Sequence, residues 1–335
     1  MNARAPDARA YVARVLLPSL GLEGRPFTSE PPAPGGTASR ASKVIIEGAP
    51  TVLLRLFEDR GRALRSAAAL RHLEDLGLPA PRLVHADTGL LNRLRRRFPL
   101  PCYATAETWI EGIRAVDTPD ERGTALGIAA LLARFHAFTR PRWGRPDRLP
   151  DPRSYAPAVL ALAQSMIRRL RVRGILSPEE AVETSSRFAA WRTRLEEIGT
   201  FHLVLNDANR RNFILAPDGG IVAIDVQRIS YEPCSEEIAN ALYHFCRHDD
   251  RLASLFVAAY LERASLSSRE TWGRTAPFFT ALNTLKRIHR RTGPEAEAAG
   301  GETLVRPGEP RLAAWRDRIL TLPAPGAAAS PDQLT

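Results

Sequence analysis

His202-Leu-Val-Leu-Asn-Asp207-Ala-Asn-Arg-Arg-Asn212-Phe-Ile-Leu215, followed after Pro217-Asp218-Gly219-Gly220 by Ile221-Val-Ala-Ile-Asp225, is the stretch on which the reading of this chain turns. Two apolar runs flank the Pro-Asp-Gly-Gly turn, a strong hairpin signal. A third apolar run, ending at Leu205, leads into a short polar loop. Asp207, Asn209 and Asn212 crowd that loop, and Asp225 ends the last run where its carboxylate would emerge beside them. Strand, polar loop, strand, turn and strand in this order gather oxygen ligands in one place.

Phosphoryl transfer from a nucleotide asks for such a group of oxygens. The protein must set an aspartate beside the attacking hydroxyl and hold magnesium against the phosphates with an Asn and a second Asp. The spacing D-x-x-x-x-N, then an Asp closing a strand after a hairpin, is how protein-kinase-like folds meet that need. The stretch resembles the catalytic and metal-binding loops of the aminoglycoside phosphotransferase and choline kinase family, whose usual form is H-G-D-x-x-x-x-N and then I-D. That resemblance implies ATP as donor, Asp207 as catalytic base, and Asn212 and Asp225 as Mg2+ ligands. It implies an α+β, bilobal protein-kinase-like fold with a small antiparallel β-sheet N-lobe and a larger helical C-lobe. Two departures stand out: the family's His and Gly are Leu205 and Asn206 here, so the loop's backbone support must come from elsewhere. Asp225-Val-Gln-Arg228 lacks the usual continuation and is closer to the Asp-x-His/Asp-Arg of lipopolysaccharide core sugar kinases. The bland alternative is a chance spacing in which Asp207 and Asn212 only cap a loop; the hairpin and the placement of Asp225 weigh against it.

A chain of 335 residues with 44% apolar content can bury a sizeable core. Cys102, Cys234 and Cys246 lie far apart without C-x-x-C spacing, so neither a disulfide framework nor a zinc site is indicated. No apolar run approaches the length of a membrane span and no secretory h-region follows the early arginines, so a cytoplasmic protein is expected. The formal charge of +10 invites a nucleic-acid reading. Yet only Lys43 and Lys286 are lysines, a chain-wide preference for arginine rather than a built patch, and no nucleic-acid-binding motif accompanies it. No specific nucleic-acid partner is expected. The charge also disfavours a polycationic aminoglycoside as acceptor relative to a sugar, an amino alcohol or a lipopolysaccharide component.

Outward from the hairpin, the chain reads as follows. Residues 7–17 place Tyr11, Val12, Val15 and Leu16 on one helical face. Ser42 to Glu47 and Thr51 to Phe57 read as strands. Between Pro31 and Arg40 runs a loop whose Gly35, Gly36, Thr37 and Ser39 loosely match the family's phosphate-covering loop; a plain Pro-Gly surface loop would look the same. Arg55 sits mid-strand where the resembling family puts its phosphate-holding lysine, with Lys43 as the fallback; snorkelling to water is the alternative. A helix is predicted from about Gly61 to Leu76, and the position where the family carries the pairing glutamate falls on Ser66. Arg93-Leu-Arg-Arg-Arg97 reads as a solvated loop or as a contact with an anionic membrane surface or substrate. Trp109-Ile-Glu111-Gly112 resembles the hinge that would receive adenine.

Beyond the hinge the pattern turns helical. His136 lies in an apolar helix and reads as a satisfied core histidine. Helices are expected at about 155–172 and 178–198, then at roughly 236–247, 249–263, 268–291 and 310–320. Glu232-Pro-Cys-Ser-Glu236-Glu237 resembles a family segment whose second acid braces the catalytic loop. The expected division is an N-terminal helix (1–25), an N-lobe (26–112), a C-lobe (113–292) and a tail (293–335). The function expected is an ATP- and Mg-dependent small-molecule kinase acting on a hydroxyl, with Arg210 or Arg211 offsetting charge on the transferred group or binding an anionic acceptor. The alternative from another class is an inactive nucleotide-binding or scaffold module, favoured by Leu205, Asn206 and Ser66.

Overall fold

The computed structural model describes residues 8–31, 40–89, 103–246, 249–293 and 309–326. The chain divides into two compact units: residues 1–118 with 211–229, and residues 119–210 with 230–335.

The first unit is built on a five-stranded antiparallel sheet in the order Phe27–Glu30, Arg40–Ile46, Val52–Phe57, Tyr103–Thr108, Leu83–Asp87. Alternation along the strands sorts the two faces. Val44, Ile46, Val52, Leu54, Leu56, Ala104 and Ala106 point to one side, where helical residues 8–19 cover them with Tyr11, Val12, Val15, Leu16 and Leu17. The opposite face packs on the helix Arg60–Asp75, which Asp59 caps by accepting from the Arg62 backbone N–H. That helix buries Ala63, Ala67, Leu70 and Leu73.

The hairpin Phe213–Leu215 with Ile221–Ala223 forms as expected and takes Ile113–Arg114 as a third antiparallel strand. Gly112 permits that pairing: at φ +143° its Cα lies so close to the hairpin that a Cβ would sit 2.1 Å from the Leu215 carbonyl oxygen. Through this pairing the segment 211–229 packs with the first unit, whereas the sequence division ran it with the helical part.

In the second unit a small sheet, Ser230–Glu232, Phe201–Val204 and Thr139–Arg140, is surrounded by helices. Glu121–His136, Tyr155–Val172, Cys234–Cys246, Asp250–Arg263, Leu266–Arg291 and Pro310–Leu320 lie where the pattern turns helical, whereas the single helix expected over 178–198 is broken at Trp191, whose ψ of −1° ends Pro178–Ala190 before Arg192–Glu196 resumes. Pro178–Ala190 opens with a capping box in which Ser177 and Glu180 satisfy each other's backbone N–H. Phe135, Phe188, Phe201, Phe256, Phe278 and Phe279 form its interior. Among the described residues no helix is long and apolar enough to cross a membrane.

Candidate functional site

Each unit carries its own part of the candidate machinery. In the first, Arg55 lies on the helix-facing side of the sheet, directly across from Thr105. Glu107, two residues further along that neighbouring strand, therefore shares its face. Arg55 Nε donates to Glu107 Oε1 at 3.1 Å, and Arg55 Nη1 lies 3.4 Å from Asp225 Oδ1. Burial opposes the Arg55 charge, but Glu107 and Asp225 outweigh it and raise the guanidinium's proton affinity. Arg55 is thus a fixed, fully charged group joined to one of the two candidate metal ligands. The pairing acid comes from the strand rather than from the helix, where Ser66 Oγ instead lies 3.5 Å from Thr105 Oγ1. The family pattern points to the helix and so passes over Glu107; an acid two residues past Arg55's cross-strand partner is the signal that marks it.

Lys43 is engaged elsewhere. Its ammonium stands 4.5 Å above the Trp109 ring and 3.6 Å from Glu111. Trp109 and Glu111, the expected hinge residues, thus stand together, and Trp109 Nε1 is buried without a hydrogen-bond partner. Gly35, Gly36, Thr37 and Ser39 lie outside the described residues, as do Arg93 to Arg97.

Asn212 and Asp225 are brought together by the hairpin. Phe213 pairs with Ala223, so the ladder continues to the Ile224 N–H donating to the Asn212 carbonyl at 2.8 Å. Asp225 follows at φ +59°, a left-handed conformation that aspartate tolerates better than most residues and that clusters at functional sites. Gln227 Nε2 donates to its Oδ1 at 2.6 Å. An amide oxygen and a carboxylate are both hard donors of the kind magnesium takes. Among the described residues there is no group of three or more His, Cys, Asp or Glu able to hold a metal. A metal at Asn212 and Asp225 would complete its shell with phosphate oxygens and water, as magnesium commonly does.

The second unit holds Asp207, partly exposed in the loop after Phe201–Val204. Asn209 folds back on it: its N–H donates to the Asp207 carbonyl at 2.8 Å and its Nδ2 to Asp207 Oδ1 at 2.7 Å. The support that the family's His and Gly would give is supplied otherwise. Glu237 Oε1 accepts from the backbone N–H of both Leu205 and Asn206 at 2.8 Å, and Glu237 Oε2 lies 3.0 Å from His136 Nε2. His136 Nδ1 in turn lies 2.9 Å from the Tyr260 hydroxyl, so this core histidine is satisfied on both sides, as expected. Asn206 stands in for glycine by taking φ +62° itself. Its Nδ2 donates to Ser230 Oγ and, at 3.3 Å, to Glu232 Oε1. Burial, reinforced by the neighbouring Glu236, pushes the Glu232 carboxyl up to about 8.

Arg210 is not presented to an acceptor: it is 7% exposed, and its guanidinium is held 3.1 Å from Glu121 at the start of the helix Glu121–His136. Arg211 is exposed. Arg210 therefore anchors the loop, because a buried arginine takes the carboxylate within reach.

The chain shares its fold with solved kinases of low sequence identity. An aminoglycoside phosphotransferase APH(4)-Ia variant, solved with ADP and hygromycin B, matches at 15% identity and TM-score 0.57 over 95% of this chain and 100% of that one. A candidate fructosamine-3-kinase from Thermobifida fusca matches at 15% and 0.57 over 92% and 98%. Aminoglycoside phosphotransferase APH(3'')-Id from Streptomyces rimosus, solved with ADP and streptomycin, matches at 17% and 0.51 over 84% and 99%. No curated protein sequence matches the chain. The family model described as the phosphotransferase enzyme family matches residues 30–278, about three quarters of the chain, and the α+β protein-kinase-like fold agrees with it. The chain belongs to the phosphotransferase enzyme family and is a phosphotransferase with a hydroxyl acceptor.

Proposed function

We propose that this phosphotransferase is an ATP- and Mg2+-dependent kinase of a hydroxylated small molecule, with Asp207 as the general base. The observation that carries the reading is the link from Arg55 to Glu107 and Asp225, which fixes a cation at a candidate metal ligand. Arg55 would hold phosphate oxygens, which its fork geometry suits. Asn212 and Asp225 would hold Mg2+, which when bound supplies charge neutralisation at the phosphates.

In the reaction the acceptor oxygen forms a bond to the γ-phosphorus as the bond to the bridging oxygen of ADP breaks. The hydroxyl proton passes to Asp207, whose carboxylate Asn209 keeps oriented. Glu237 supports the loop through the Leu205 and Asn206 N–H groups, so the absence of His and Gly is not by itself a reason for inactivity. Arg211 is the loop arginine left to face the transferred group. Trp109 and Glu111 would border the adenine, with backbone groups near the hinge as its hydrogen-bond partners.

The test is transfer of labelled γ-phosphate to a panel of sugars and amino alcohols, in wild type, Asp207→Asn and Asp225→Asn. Transfer that needs Mg2+ and disappears in both variants supports the reading. Nucleotide binding without transfer in the wild type favours the inactive module instead.

A further inference from the structure

The second unit carries a cationic cluster that the reaction above leaves unused. In its last two turns the helix Leu266–Arg291 places Lys286, Arg287, Arg290 and Arg291, whose three- and four-residue spacings set them side by side. The helix Cys234–Cys246 meets them with Glu236, Asn240 and Tyr243. Lys286 pairs with Glu236. Arg287 Nη2 donates to Asn240 Oδ1 at 3.4 Å, and its guanidinium carbon lies 3.0 Å from the Tyr243 ring centroid. Arg291 Nη2 donates to the Tyr243 hydroxyl at 3.1 Å, and its guanidinium lies 5.8 Å from the Trp315 ring.

Charge does not balance here. Among the described residues Arg287, Arg290 and Arg291 form no ion pair, although Arg290 and Lys286 both help to hold the Glu236 carboxyl low against its burial. Asp249, Asp250 and Arg318 line the same recess as Arg287; Asp250 offsets Arg318, and Asp249 accepts from the Leu252 N–H at the start of its own helix. Arg287 Nη1 is buried and has no hydrogen-bond partner. Buried donors are almost always satisfied, and an arginine keeps its charge in proteins, so this N–H is poised for an acceptor from outside the chain. Burial, then repulsion from Arg290, Arg291 and Arg318 against the help of Tyr243, brings Arg287 down to about 9. Stabilisation of cations by a helix C-terminus accounts for exposed Arg290 but leaves the buried Nη1 without a reason.

The helix Cys234–Cys246 ties the cluster to the loop of the base: its Glu237 accepts from the Leu205 and Asn206 N–H groups, next to Asp207, and its Tyr243 meets Arg287 and Arg291; His244 lies on the same helix. Burial is the main cause holding its imidazole down at about 4; Arg287, Arg290 and Arg291 lower it and Asp207 raises it. The ring stands within electrostatic reach of both the arginines and Asp207, and it is uncharged at neutral pH.

We propose that the acceptor is anionic, a small hydroxyl compound bearing a phosphate or carboxylate, and that Arg287 and Arg291 receive that group while Asp207 faces the hydroxyl. The assignment rests on Asp207 being the general base. Guanidinium forks match both anions, and the same cluster repels a polycationic acceptor.

Matched acceptors test it with the full-length protein: glycerol against glycerol 3-phosphate and glycerate, glucose against glucose 6-phosphate and gluconate, and hygromycin B as the polycation. An anionic member should exceed its neutral twin in kcat/KM by at least roughly tenfold, the factor of one charge-assisted hydrogen bond. Arg287→Gln should bring that ratio close to one, and Arg287→Lys should restore part of it. Should Arg287→Gln fail to fold, Arg291→Gln carries the same comparison. Equal twins, a preferred polycation, or an unchanged ratio in the variants overturns the proposal. If no acceptor is phosphorylated, thermal protection decides: anionic members must raise the melting temperature of wild type but not of Arg287→Gln, and no protection overturns the proposal. Binding of ADP with Mg2+, measured alongside and lost in Asp225→Asn, reports on the kinase reading separately. The two can therefore fail independently.

Discussion

Removing the Glu107 carboxylate isolates what the strand pair does. The Glu107 and Arg55 side chains are 5% and 11% exposed, so Glu107→Ala leaves a buried guanidinium with Asp225 at 3.4 Å as its remaining acid. Breaking a buried pair from one side costs about 3–5 kcal/mol, and the surviving contact to Asp225 places this case near 3 kcal/mol. Burial raises the Glu107 carboxyl and Arg55 only partly reverses it, so the intact pair is itself a weak stabiliser. The apolar double variant Arg55→Met with Glu107→Leu should then unfold within about 1 kcal/mol of wild type, while its KM for ATP rises at least roughly tenfold, one lost charge-assisted contact to phosphate. Urea unfolding of wild type, Glu107→Ala, the singles Arg55→Met and Glu107→Leu, and the double variant gives the energies, and initial rates against ATP give the affinities. If Glu107→Ala loses less than about 1 kcal/mol, or the double variant is as unstable as the sum of the singles, the reasoning about this pair is wrong.

The other expectations concern the second unit. Glu237→Ala strips acceptors from two backbone N–H groups and a partner from His136, and should lower stability by about 3–5 kcal/mol by urea unfolding; Glu237→Gln, which keeps Oε1, should retain most of it. Asn206→Gly keeps the φ +62° backbone and loses the contacts to Ser230 and Glu232, whereas Asn206→Val adds a β-branched left-handed residue; a melting temperature for Val equal to that for Gly refutes the glycine stand-in. His202 is fully buried with both ring nitrogens unpartnered, and burial, then His136, lowers it from 6.5 to about 3. In that window the unfolded chain takes up a proton that the folded one refuses, so stability falls as pH drops. His202→Asn should flatten that fall in unfolding measured from pH 7 to 4; an unchanged slope contradicts it.

The architecture could be read in the sequence where local chemistry and packing agree. Pro217 to Gly220 announced the hairpin, Tyr11 to Leu16 announced an apolar helical face, which the structure packs on the sheet, and Ser177-Pro-Glu-Glu180 carries the signal of a capped helix start. Asp207, Asn212 and Asp225 stand out as candidates because motif spacing is local. What escaped was set by pairing between distant segments. Glu107 meets Arg55 only through strand register, 52 residues away, and Arg210 finds Glu121 across 89 residues. The replacement for His and Gly likewise depends on Glu237 lying under the loop, and which of two adjacent glutamates does so is decided by helix phase rather than by the local motif. The packing of 211–229 with the first unit follows from the strand Ile113–Arg114, too short to announce itself by periodicity.

The central claim is that Asp207 and Asp225 do different work in one Mg2+-dependent transfer from ATP. Its most direct measurement is paired: Mg2+-dependent ATP affinity and the rate of phosphoryl transfer in wild type, Asp207→Asn and Asp225→Asn. The account predicts that Asp207→Asn keeps ATP affinity and loses transfer by roughly a hundredfold or more, the usual worth of a general base, while Asp225→Asn loses Mg2+-dependent affinity as well. Wild-type protein that binds no ATP with or without Mg2+, or an Asp207→Asn variant that transfers phosphate at the wild-type rate, contradicts it.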